Sequence, residues 1–528
     1  MFFKYLHKPW IVCLMLLGIL QSSCSPSETT QAEIDQPEAT EVAVVDETPQ
    51  ANSGSRNQPR RPNIVIIMPD DLGNRDVGFK GGDIATPNID RIATEGGTFD
   101  RFYAAPVCSP TRAGLMTGRY PIRFGLMRGV VGAWRDFGLD TSEVTMPEVL
   151  AQAGYEHRAI FGKWHLGHHK KRWHPLRRGF TEFKGYNFAI DFFTHEHRLL
   201  GEREWWHDYE SVDEEGYLTD LHAEHAVRFI NTHANEDAPF FVYVPFSAPH
   251  SPLQAKAEDL PRYAHLEALA EPRGWEESTA GRPLRAIEER REGRRIHGSM
   301  VHALDAGIGR ILQALEDNKI VDDTLVIFFS DNGGSVAMGD NEPFRGAKGS
   351  VYEGGIRVAA AARWPAGNVV GGKQIETPVQ YIDLLPTLMG ITGIDDHGGK
   401  PLDGLDMSGI IMGVNADVAP ERDLYSFIAQ LDPEREQVSV TEGEWKLVVI
   451  GPPLPRPGAA ERSRKILFHI ASDPLENDDV ADEHPEIVAR LLAKAADFRA
   501  LQPANHIAPF REGSEGFIPP PNWDFAVE

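Results

Sequence analysis

The sequence predicts a doubly wound α/β domain followed by a smaller α+β domain. Three features carry that reading. Five short apolar runs recur, each lying beside polar or charged residues. Patterns with helical spacing lie between them. Beyond residue 418 the chain changes to short strand-like segments with polar turns and one amphipathic helical stretch.

Residues 64–68 form the first run and lead to Asp70 and Asp71. Residues 155–161 lead into Lys163 and His165, residues 240–246 into His250, and residues 325–329 into Asp331 and Asn332. Residues 356–362 lie just after Lys348. Continuous apolar runs of this length suit strands buried on both faces of a parallel sheet. The clearest helix places Val301, Leu304, Ile308, Ile311 and Leu315 at spacings of three and four. Strands alternating with helices imply an α/β sheet, whose ligands gather beyond the C-terminal strand ends. Four of the runs deliver polar or charged residues there.

From residue 419 onward, residues 424–428, 437–441, 445–449 and 465–469 read as short strands. Residues 485–501 read as a helix with Ile487, Leu491, Leu492 and Phe498 on one side. The final stretch, with prolines at 519–521, reads as an irregular tail.

At the other end, Lys4, His7 and Lys8 precede an apolar run over residues 10–20, too short to span a bilayer. Residues 1–24 therefore read as an export signal. Ser22 and Ser23 before Cys24 resemble a bacterial lipoprotein signal, in which that cysteine is lipidated; Gln21 departs from the apolar residue expected there. The alternative is simple cleavage and secretion. Either way an exported protein is expected, in the periplasm or as an outer-membrane lipoprotein of a bacterium. Residues 25–60, rich in Glu, Thr, Ser, Gln and Pro, read as a disordered acidic tether. This leaves 61–418 as the main domain and 419–528 as the smaller one.

A net charge of −25 excludes nucleic acid as a partner. It leaves room for a small anion in a local basic pocket, because whole-protein charge does not set the potential inside one cleft. Only three cysteines occur, and Cys108 alone lies beyond residue 24. No disulfide framework is expected, although an exporting compartment would permit one. An unpaired thiol points to reactivity, against the alternative of an inert buried cysteine beside a turn proline.

Adjacent Asp70 and Asp71 repel each other unless a cation or hydrogen-bond donors compensate. With Asp331 and Asn332 they make an all-oxygen set that suits Ca²⁺ or Mg²⁺ better than zinc. The alternatives are a helix cap and an ordinary turn.

Cys108-Ser109-Pro110-Thr111-Arg112, followed by Leu115-Met116-Thr117-Gly118-Arg119, resembles the signature of the type I sulfatases. The resemblance extends through Asn63 to Gly73, Thr86-Pro87-Asn88-Ile89-Asp90 and Gly162-Lys163-Trp164-His165-Leu166-Gly167. It continues in Pro249-His250-Ser251-Pro252-Leu253, Ser330-Asp331-Asn332-Gly333, Gly346-Ala347-Lys348-Gly349 and Tyr352-Glu353-Gly354-Gly355. The match spans residues 61 to about 400.

The resemblance implies an alkaline-phosphatase-like mixed sheet and hydrolysis of sulfate esters. It implies that a maturing enzyme oxidises Cys108 to formylglycine, whose hydrate attacks sulfur. Asp331 would act as base, Arg112 would hold the hydrate, and Lys163 and Lys348 would clamp sulfate oxygens. His250, with Lys348, would protonate the leaving oxygen, and His165 would take a proton as the aldehyde is restored. Asp70, Asp71, residue 108, Asp331 and Asn332 would hold the metal, with Ca²⁺ favoured over Mg²⁺ through the family.

Substrate clues are local. The basic run over residues 168–178 includes Arg172 and Arg177, and either grips anionic sugars or is a solvated loop. Its end, and Asp191-Phe192-Phe193-Thr194-His195, look similar to the arylsulfatase B branch. Asp191 and His195 are accordingly candidate sugar contacts, and galactose or N-acetylgalactosamine 4-sulfate is the implied substrate. The charged insertion over residues 254–292 is expected to frame the cleft. Two rivals are carried: a phosphonate or phosphodiester hydrolase of the same superfamily, and a non-catalytic surface glycan-binding lipoprotein.

Overall fold

The computed structural model describes residues 61–168, 170–279, 282–414, 420–432 and 434–525. The export signal, Cys24 and the tether lie outside the described residues, as does His169 of the basic run. The described residues belong to one compact unit, Pro59–Glu528. Among them no helix is long and apolar enough to cross a membrane.

The strands that build the site are β1 (Asn63–Met68), β2 (His157–Lys163), β3 (Glu182–Tyr186), β4 (Phe240–Pro245), β5 (Thr324–Phe329) and β6 (Ala360–Arg363). They form the centre of a ten-stranded sheet in the order β6-β5-β1-β4-β2-β3, with short strands at both edges. β1 runs parallel to both β4 and β5, with Ile66 opposite Tyr243 and Ile327. β2 runs parallel to β4 and β3.

β1, β4 and β5 are buried along their whole length. Their side chains alternate between two cores: Ile64, Ile66 and Met68 face one, Val65 and Ile67 the other. Helices α2 (Leu218–His233) and α3 (Ile287–Asp317) belong to the second core, through residues such as Leu221, Phe229, Leu304 and Ile308. Helix α1 (Cys108–Thr117) is buried at every position and contributes Ala113, Leu115 and Met116 to the first.

The run at 356–362 departs from the expectation of one strand in a parallel sheet. A single helical turn, Glu353–Ile356, opens it. Arg357–Val358 then pairs with Phe102–Tyr103 in a separate three-stranded sheet, and only β6 joins the main sheet, antiparallel to β5. Parallel neighbours need a crossover that returns the chain to the starting edge of the sheet, usually as a helix; residues 330–359 instead stay at the site end as loops, that turn and the Arg357–Val358 strand, so the chain comes back antiparallel. Apolar composition reports burial and is silent on direction.

The C-terminal part is an antiparallel meander of β7 (Asp423–Ile428), β8 (Glu436–Glu442), β9 (Trp445–Gly451) and β10 (Arg464–His469). The amphipathic helix α4 (Pro485–Ala500) follows the meander and buries Ile487, Leu491, Ala495 and Phe498. The tail beyond it is anchored: Trp523 is fully buried, stacks on His197 at 4.6 Å between ring centres, and donates from Nε1 to the Gly201 carbonyl at 3.2 Å.

Candidate active site

The ends of β1 and β5 are tied together before any functional side chain is placed. Asp331 N donates to the Pro69 carbonyl at 3.2 Å, and Asp71 N donates to Asp331 Oδ1 at 3.3 Å. Asp71 has a φ of 67°, a left-handed conformation that Asp tolerates better than most residues. Gly73 follows because a Cβ there would stand 2.5 Å from the Asp340 carbonyl oxygen. Helix α1 begins at Cys108, so the thiol sits at the positive end of the helix. Ser109 Oγ donates to the His165 carbonyl at 2.9 Å, and Thr111 Oγ1 to the Asp331 carbonyl at 2.6 Å. These two hydroxyls fasten α1 to the β2 and β5 ends. Their roles went unread in the sequence, although both lie inside the Cys108–Arg112 motif.

Cys108 Sγ lies 3.3 Å from His165 Nδ1 and 3.9 Å from Lys163 Nζ. Lys163 Nζ donates to Asp70 Oδ2 at 2.5 Å, and Lys348 Nζ to Asp71 Oδ1 at 2.5 Å. Asn332 Nδ2 donates to Asp71 Oδ1 at 2.8 Å. His250 Nδ1 donates to the Ser251 carbonyl at 2.6 Å, leaving Nε2 3.9 Å from Asp71 Oδ2. Arg112 directs its donors to Asp331, Asp70 and the Lys163 carbonyl. It thus compensates two buried carboxylates.

Burial alone would raise the Asp70 carboxyl, but Lys163, His250, Arg112 and Lys348 outweigh it and hold the group well below the usual range. Asp331 is pushed upward by burial and then by the charge of Asp70, against Arg112. Two neighbouring carboxylates are driven apart in this way whenever one charge must be favoured. Burial, then Lys163 and Arg112, keeps His165 well below the ordinary imidazole value, hence neutral near pH 7. Burial lowers His250 to about 4. It raises the Cys108 thiol against the pull of Lys163 and Lys348, so the unmodified thiol is no thiolate at neutral pH.

Whether these residues fit a metal is decided by two atoms. Asp70 Oδ1 and Asn332 Oδ1 are buried and accept no hydrogen bond. Unsatisfied buried acceptors are costly, and a hard cation satisfies both. One oxygen of Asp70, one of Asp71 and a His250 nitrogen lie within 4.8 Å of one another, as do ligand atoms of Asp70, Cys108 and Asp331. The donor set is mainly oxygen, which fits Ca²⁺ or Mg²⁺.

The structure brings together Asp70, Asp71, Cys108, Arg112, Lys163, His165, His250, Asp331, Asn332 and Lys348. The four candidate sugar contacts have the following surroundings. Asp191 Oδ1 accepts from the Phe193 and Thr194 amides at 2.9 Å each, and Oδ2 accepts from Gln254. His195 is buried against Trp205, with ring centres 5.3 Å apart. Arg172 pairs with Asp136 at 2.8 Å and stacks on Trp173. Arg177 is exposed. Arg198, unread in the sequence, donates to Ser251 Oγ at 2.5 Å beside His250.

A carboxylate and lysine cluster around a helix-borne residue, set at the C-terminal edge of a mixed α/β sheet, marks the alkaline-phosphatase-like hydrolases. Within that class the sequence is decisive: the profile of the Sulfatase family matches residues 62–394, and the chain belongs to the sulfatase family. It is 34% identical over 375 residues to the N-acetylgalactosamine-6-sulfatase of Mus musculus, covering 66% of each chain. It therefore spans just under two thirds of that relative's length. Arylsulfatase J of Mus musculus is 29% identical over 499 residues, 86% of this chain and 78% of the relative. The crystal structure of Ps i-CgsB in complex with k-i-k-neocarrahexaose superimposes with a TM-score of 0.73 at 29% identity, covering 86% of this chain and 96% of that one.

Proposed function

We propose that this protein is an exported enzyme that hydrolyses sulfate esters on a sulfated carbohydrate, using a formylglycine derived from Cys108. The observation that carries the reading is the Cys108 environment: a buried side chain at a helix start, within 3.9 Å of both Lys163 and His165. When present, the formylglycine hydrate supplies the nucleophile, and Ca²⁺ held by Asp70, Asp71, Asp331 and Asn332 supplies a cationic partner for sulfate oxygens.

The remaining work falls to the chain itself. Lys163 and Lys348 hold sulfate oxygens, a placement whose value rises where water is excluded. Asp331, pushed upward by burial and by Asp70, accepts the proton of the attacking hydroxyl. His250, its Nδ1 anchored on Ser251 and its ring kept neutral by burial, presents Nε2 toward the leaving oxygen, and the proton for that oxygen comes from the charged Lys348. His165, neutral beside Cys108, takes up a proton as the aldehyde re-forms. Arg112 fixes Asp331 and Asp70 in position.

Galactose or N-acetylgalactosamine is the proposed sugar. A relative named for N-acetylgalactosamine supports the ring, and its name points to position 6 where the sequence reading leans to position 4. A formylglycine-generating or sulfatase-maturing enzyme is the implied partner.

The test is sulfate release from galactans and galactosaminoglycans sulfated at position 4 or 6, as polymers and oligosaccharides. Peptide mass spectrometry first confirms the aldehyde at residue 108, and Cys108→Ala runs alongside. Release that disappears in Cys108→Ala establishes the activity. Fully matured protein that releases no sulfate, yet cleaves an aryl phosphodiester or phosphonate, overturns the reading in favour of the phosphohydrolase rival. Binding without any hydrolysis would point to the glycan-binding rival.

A further inference from the structure

A cavity of about 190 Å³ opens beside the proposed sulfate pocket and shares Lys348 with it. One wall is Val107, next to the reacting residue; another is the connection between β7 and β8, with Ile428, Gln430, Asp432 and Arg435. The charged insertion contributes Arg282.

Three observations give this cavity a chemical preference. Arg282 and Arg435 both line it, and among the described residues neither guanidinium is paired with a carboxylate; Arg282 Nε donates only to the Thr279 carbonyl at 3.2 Å. Both side chains are exposed and stand beside Lys348 of the proposed sulfate pocket, where they are free to meet an anion. One acid, Asp432, also lines the cavity, with its Oδ1 accepting from the Glu434 amide at 2.9 Å, so the two guanidinium groups outnumber it. Finally, Gln430 lines the cavity with a buried Oε1 that accepts no hydrogen bond, an acceptor waiting for a donor such as a sugar hydroxyl.

We propose that this cavity is a subsite for a sugar unit bearing a second anionic group, sulfate or carboxylate, next to the unit whose sulfate is removed. The guanidinium groups of Arg282 and Arg435 take the anion in the forked geometry that matches such oxygens, and Gln430 accepts from a ring hydroxyl. The volume lies below the ~300–1,000 Å³ of drug-sized pockets, which fits one sugar ring. This rests on the proposed function, since the second unit must be joined to the first.

Binding separates the two ideas. Full-length Cys108→Ala protein, which cannot turn substrate over, is titrated calorimetrically with pairs of sulfated oligosaccharides. The members of each pair differ only in whether the neighbouring sugar carries a sulfate, a carboxylate or no charge. The doubly anionic ligand is expected to bind about tenfold more tightly, and the preference should fall to near unity when Arg282→Ala and Arg435→Ala are added. A sulfate-only or carboxylate-only preference assigns the source of the anion. Equal affinity for charged and uncharged neighbours, or a preference that survives both substitutions, overturns the subsite. Turnover by matured wild-type protein is measured separately, so loss of the sulfatase reading is visible on its own.

Discussion

Arg112 Nη2 stands 2.7 Å from Asp331 Oδ2 and 3.2 Å from Asp70 Oδ2, so one guanidinium bridges the ends of two neighbouring parallel strands. All three side chains are almost completely buried. Removing one partner from such a cluster strands the others in low dielectric. Arg112→Ala is therefore expected to cost about 3–5 kcal/mol of stability, read by denaturant unfolding. Arg112→Lys should recover only part of it, because an ammonium lacks the fork that reaches two carboxylates. A loss below about 1 kcal/mol in the alanine variant would contradict a structural role for the bridge.

Metal removal should act on the same cluster from the other side. Dialysis against a chelator is expected to lower Tm as well as activity, since Asp70 Oδ1 and Asn332 Oδ1 then lie buried without partners. Adding Ca²⁺ should restore both, with Mg²⁺ as the comparison. An unchanged Tm after verified metal removal would mean that the oxygens are satisfied some other way.

Glu204 predicts a stability that declines as pH rises from mildly acidic to mildly alkaline. It is fully buried, with His168 and His197 each 3.8 Å away and the Asn187 amide donating to it at 3.0 Å. Burial raises its carboxyl to about 8 from an ordinary 4.5. Between those values the folded chain holds a proton that the unfolded chain has released, so stability falls as pH rises through that window. Tm measured from pH 5 to 9 should decline more steeply in the wild type than in Glu204→Gln, which keeps the neutral form throughout. Parallel curves would rule out a buried protonated carboxyl.

The tail makes a fourth prediction. Trp523→Ala removes a fully buried indole stacked on His197, and a large-to-small change of that kind costs about 3–5 kcal/mol. A Tm within a degree of wild type would show that the tail is dispensable.

Much of the architecture was legible because burial on both faces writes itself as continuous apolar runs, as in β1, β4 and β5. The sites at their ends were legible for the same reason: polar residues directly after such a run have one place to go. The direction of β6 was hidden, since an alanine-rich segment packs equally well either way and residues 330–359 before it carry no pattern that reports the path back to the sheet. Trp523 was hidden because an isolated aromatic among prolines carries no periodicity. The short-range pattern around Asp191 and His195 also encodes a turn, and Asp191 caps it by accepting from the Phe193 and Thr194 amides.

By itself the sequence determined the residues that meet at the site, the family and the two-part α/β organisation. These depend on local order and composition. Only the tertiary structure decided which carboxylate faces which cation, which arginines are left without acids, and where the tail is buried. Those relationships join residues hundreds of positions apart, as Asp71 and Lys348 do, and their energies depend on burial that no local pattern encodes.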